Sequence, residues 1–70
     1  MAEVRAEMVA NVWKVVATEG GQVEDGDTLV ILESMKMEIP VLAEEAGTLA
    51  KLHVAEGDVV QEGDIIATIS

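Results

Sequence analysis

Cysteine is absent from the 70 residues, so no disulfide closes the chain and no thiolate serves as nucleophile or zinc ligand. The lack of disulfides fits a reducing compartment. His53 is the single histidine, which leaves no imidazole pair for a metal and no Ser-His-Asp signature. Tyr and Phe are missing, and Trp13 is the one aromatic. No apolar run approaches the ~18 residues of a membrane-spanning helix. The start, Met1-Ala2-Glu3-Val4-Arg5, lacks the basic-then-apolar order of a signal peptide, so the cytoplasm is the expected location. Positive charge is scarce: four Lys+Arg stand against 14 Asp+Glu, for a net charge of −10. Such a chain is repelled by phosphate backbones and anionic membranes, and neither nucleic acid nor a membrane is expected as partner. Basic clefts on proteins attract it instead.

Half of the residues are hydrophobic, almost all aliphatic, which excludes a disordered chain. Residues 1–70 read as one small domain, expected to be monomeric. A chain this short buries only about 60% of its unfolded surface, so its core must be dense. Short apolar runs alternate with glycine-acid punctuation at Glu19-Gly20, Gly26-Asp27, Glu56-Gly57-Asp58 and Gly63-Asp64, the spacing of an all-β sandwich or barrel. Met8 to Val16 is apolar, but Val9, Val12, Val15 and Val16 are β-branched and Glu19-Gly20-Gly21 ends the run too early for a helix.

The chain repeats. Laying 4–33 on 41–70, an offset of 37, gives nine identical pairs, among them Lys14/Lys51, Glu19/Glu56, Gly20/Gly57, Gly26/Gly63 and Asp27/Asp64. Shared glycines at one offset mean shared turns. Each half therefore reads as about four short strands. Neither half can bury an apolar face alone, which predicts two four-stranded antiparallel sheets, the halves facing each other with pseudo-twofold symmetry. Strict alternation along the second strand and its copy puts Lys14 and Lys51 outward with Val12 and Leu49, and turns Trp13, Val15, Leu52 and Val54 to the core.

The repeat leaves out Ser34–Pro40, and with it nearly all of Glu33-Ser34-Met35-Lys36-Met37-Glu38, which lies between apolar runs Leu29–Leu32 and Ile39–Ala43. A tight hairpin with Met35 and Lys36 at its tip is the simplest geometry. Met-Lys is poor turn chemistry, since the favoured two-residue turns need positive φ, at about 1–3 kcal/mol for a bulky residue. The position with no counterpart is thus a lysine framed by two methionines, flexible apolar side chains suited to adaptable recognition. A solvated lysine is the ordinary reading; a lysine gripped by another protein and acylated is the sharper one. Glu33 and Glu38 flank the tip. A convex tip gives them no pocket for acid-base work, and they read as solvated cross-strand residues that a modifying enzyme recognises. Asp25-Gly26-Asp27 and Glu62-Gly63-Asp64 lack the EF-hand pattern and read as turns, with no metal expected. His53 reads as an outward strand residue.

Glu33-Ser34-Met35-Lys36-Met37-Glu38 resembles the biotin attachment motif of biotin carboxyl carrier proteins, whose hallmark is Met-Lys-Met preceded by Ala or Ser. The glycine-acid turns of both halves match that family too, and in length the chain is similar to small free-standing biotin/lipoyl attachment proteins of bacteria. The resemblance implies a flattened β-barrel with the acceptor lysine on a hairpin. Lys36 would carry biotin in an amide bond, flanked by Met35 and Met37. The implied partners are a biotin protein ligase and the biotin carboxylase and carboxyltransferase of a biotin-dependent carboxylase; the domain itself is no enzyme. Lipoyl carriers share the fold, but their lysine sits in Asp-Lys-Ala. A lipoyl carrier for 2-oxo acid dehydrogenase or glycine-cleavage chemistry, and an unmodified docking module, remain the alternatives.

Overall fold

A computed structural model of the chain describes residues 2–70. It contains eight strands and no helix: β1 (Ala2–Arg5), β2 (Ala10–Val15), β3 (Gln22–Val23), β4 (Thr28–Ser34), β5 (Met37–Leu42), β6 (Gly47–Leu52), β7 (Val59–Val60) and β8 (Ile65–Ile69). They form two four-stranded sheets, ordered β1-β8-β6-β3 and β5-β4-β2-β7, with every pairing antiparallel. Adding 37 to β2 and β3 lands on β6 and β7, and the same shift exchanges the two strand orders. The fold is thus all-β with an internal pseudo-twofold.

The halves do not each form a sheet, as simple facing halves would. The first half pairs only β2 with β4 internally, and lends β1 and β3 to β8 and β6 of the second. The exchange is reciprocal, because β5 and β7 of the second half border β4 and β2. Interleaving satisfies backbone groups that each half alone would leave at open edges. Separate halves therefore lack ladder hydrogen bonds as well as a core.

That core lies between the sheets. Leu29, Val30, Leu49, Ile66, Ala67 and Ile69 are fully buried, with Val12, Val23, Leu32 and Val60 close behind. Val15, Leu52 and Val54 pack against it, as alternation requires. Trp13 does not: it is 48% exposed, while Val12 and Leu49 are buried. The cause is a bulge. Val12 opposes Leu32 and Lys14 opposes Ile31, so Trp13 is an extra residue in the ladder. The repeat places the same bulge between Leu49 and Lys51. One inserted residue puts two successive side chains outward and resets the alternation, so Val12 and Val15 both point in.

The glycine-acid turns are explained by hydrogen bonds. Asp27 and Asp64 each accept the backbone N–H three residues earlier, at 2.9 Å. Gly26 and Gly63 sit at φ 93° and 91° and donate to the carbonyls of Ala43 and Ala6. A side chain there would be strained, which is why glycine repeats at this offset. The Glu19 carboxylate accepts the Leu52 N–H at 2.9 Å, and its repeat partner Glu56 accepts that of Val15 at 3.3 Å. These acids tie the halves together, and among the described residues no group of three or more His or acidic side chains converges to hold a metal.

Candidate functional site

The hairpin β4–β5 builds the site. Leu29, Val30 and Leu32 anchor β4 in the core, and Ile39 and Val41 pack β5 against it. Pro40 is tolerated because β5 is an edge strand, where a missing N–H need break no ladder. From Leu32↔Ile39 the register runs through Glu33↔Glu38 to Ser34↔Met37, leaving Met35 and Lys36 as a two-residue loop. Their φ values are 52° and 65°. Positive φ at both central residues is the mark of a type I′ turn, whose twist matches a hairpin. They are the only non-glycine residues with positive φ among those described.

The strain has visible consequences for display. Met35 is 91% exposed and Met37 62%, and Lys36 is exposed between them. The one ion pair among the described residues joins Arg5 to Glu3, so no carboxylate holds the Lys36 amine by a salt bridge. Glu33 and Glu38 stand directly opposite each other, both exposed, with no cation between them. Like charges in that position cost stability. The five residues singled out from the sequence are thus contiguous on one hairpin end. A groove of about 290 Å³ lies between β1 and β5, lined by Val4, Met8, Ile39 and Leu42 among others, and none of the tip residues reaches it.

Under the pseudo-twofold, Leu32↔Ile39 corresponds to Ile69↔Ala2, the pair formed near the chain ends. The tip therefore has no second copy. Sequence reasoning missed Trp13 as a surface residue. The signal was available in the repeat, which matches Trp13 to Ala50, a poor substitute at a core position.

A convex, strained, uncrowded amine on a rigid hairpin can be acylated by an enzyme that closes over it; it encloses no substrate of its own. Comparison with known proteins decides the family. A family model described as "Biotin-requiring enzyme" matches residues 2–69. The chain belongs to that biotin/lipoyl family. It is 63% identical over 71 residues to the biotinylated protein TB7.3 homolog of Mycobacterium leprae, covering 100% of each chain. It is 40% identical over 65 residues to the biotin carboxyl carrier protein of Streptococcus mutans, covering 93% of this chain and 50% of that one. Among solved structures, the urea carboxylase of Kluyveromyces lactis contains a region that superposes with a TM-score of 0.92 at 38% identity, covering 99% of this chain and 6% of that one. The chain is a biotinyl-type carrier domain, the non-catalytic kind of component that carrier proteins in this family are.

Proposed function

We propose that Lys36 is the biotin acceptor and that the domain carries a carboxyl group for a biotin-dependent carboxylase in the cytoplasm. The observation behind this reading is the tip itself: a lysine held at φ 65° where folding favours Asn-Gly, exposed and free of an ion pair. The site fits covalent biotin, because an exposed amine on a convex turn leaves a ligase free to enclose it. In the acylation, the uncharged Lys36 Nζ attacks the acyl carbon of biotinyl-adenylate; the C–N amide bond forms, AMP leaves, and the amine proton passes to solvent or the ligase. When bound, biotin supplies the carboxyl-accepting ureido nitrogen, charged at a biotin carboxylase site and discharged at a carboxyltransferase site.

The chain's own residues place that group. The β4–β5 ladder fixes the direction of the tether, and the anchored core keeps the tip from folding back. Tethering raises the local concentration of the cofactor at both partner sites. Met35 and Met37 flank the amide and offer soft apolar contact to those partners. Glu33 and Glu38 offer paired negative charge to the ligase. Names of relatives support biotin: a biotinylated protein and a biotin carboxyl carrier protein both match. Lys36→Arg keeps the charge and removes the acceptor, so apo-chain carrying it should take up no labelled biotin from a biotin ligase, with unchanged Tm. Label on that variant would overturn the assignment.

A further inference from the structure

The pseudo-twofold gives the molecule an internal control. Each outward position on one sheet has a counterpart 37 residues away on the other. On or beside the sheet that bears the tip, six of these positions are apolar, Trp13, Val16, Ile31, Pro40, Leu42 and Val59, while Asn11, Lys14, Glu33 and Glu38 are polar. The counterparts of the apolar six are Ala50, His53, Thr68, Glu3, Arg5 and Gln22. The second set closes on itself as an ordinary polar surface: Arg5 pairs with Glu3 at 2.6 Å, His53 Nε2 lies 3.0 Å from Thr68 Oγ1, and Gln22 donates to Thr48 at 3.0 Å. The backbone is alike at both sets, bulges included. Folding therefore does not require the apolar set. Trp13, Val16, Leu42 and Val59 nonetheless remain 44–63% exposed on a chain of net charge −10. A one-sided apolar surface of this kind, with a tryptophan at its bulge, is a protein-binding surface.

Charge selects the occupant. Glu33 and Glu38 cross the same face between the Ile31 and Pro40 row and the tip, in one row with Asn11 and Val59, and Lys14 is the only basic residue on β2, β4, β5 and β7. A second copy would set acid against acid, and anionic lipid would do the same. A protein with an apolar centre and a Lys/Arg border is complementary. Position selects it further. The row of Ile31 and Pro40 lies two residues, about 7 Å, below the row of Glu33 and Glu38. An enzyme that forms a bond at Lys36 Nζ must close over the tip and reach this row. A partner acting at the far end of a long tethered arm need not.

We propose that this face docks the enzyme that acylates Lys36, an inference that rests on the function proposed above. The test is the initial rate of biotin transfer to the apo-chain by the biotin ligase of the same host, measured against apo-chain concentration. Two variants carry the counterpart residues: Trp13→Ala with Val59→Gln, and Pro40→Glu. Gln22→Val on the other face is the control. Thermal unfolding by circular dichroism establishes that each is folded. The expected result is a KM raised about tenfold or more in both variants with kcat unchanged, and a control like wild type. A labelled wild type with unchanged KM in both variants overturns the docking face and leaves the function standing. A wild type that takes no label overturns both. Wild-type dimers that Pro40→Glu separates in sedimentation overturn it in favour of a second copy.

Discussion

Two kinds of reversal in this molecule solve the same steric problem in opposite ways. At Gly26 and Gly63 the backbone turns with φ 93° and 91°, and glycine removes the cost. At the β4–β5 tip it turns with φ 52° and 65°, and Met35 and Lys36 bear the cost. The first kind repeats at an offset of 37 and serves the fold. The second occurs once, at the hairpin the repeat leaves out. Strain accepted where glycine was available elsewhere in the same chain points to side-chain chemistry at the tip rather than folding.

The largest effect comes from converting one kind into the other. Met35→Asn with Lys36→Gly gives the tip ordinary hairpin residues. It should stabilise the domain by about 1–3 kcal/mol, raising Tm by roughly 4–8 °C per kcal/mol, and abolish biotin uptake completely. Thermal denaturation and a labelled-biotin assay read both. A fall in Tm would mean that the methionine and lysine side chains support the fold after all.

The bulge gives the next comparison. Leu49→Ala removes a fully buried side chain and should cost about 2–5 kcal/mol in urea unfolding. Trp13→Ala, at the outward bulge position of the other half, should cost under about 1 kcal/mol. Similar losses would contradict the bulge and restore Trp13 to the core. Gly63→Ala falls between these two substitutions. Nothing lies within 4 Å of the added Cβ, so the cost is backbone strain alone, about 1–2 kcal/mol, with biotin uptake retained.

Much of this was legible in the residues. The offset of 37 located the strands and turns because glycine and aspartate are tied to turn geometry, which sequence records directly. The tip was legible for the same reason: Met35-Lys36 stood where turn chemistry was missing. Two features were not. A bulge leaves no local signature, so alternation carried Trp13 inward and Val12 outward, and only the register of β2 on β4 shows the extra residue. The interleaving of halves was hidden too. Two separate sheets and two exchanged sheets have the same hydrophobic pattern and differ only in which edges pair.

The central claim is that Lys36 carries biotin. Peptide mass spectrometry on the chain purified from its native host, grown with biotin, tests it most directly. The account predicts a biotinyl adduct on Lys36 and on no other residue. A lipoyl adduct there, or a bare Lys36 throughout the sample, would contradict it.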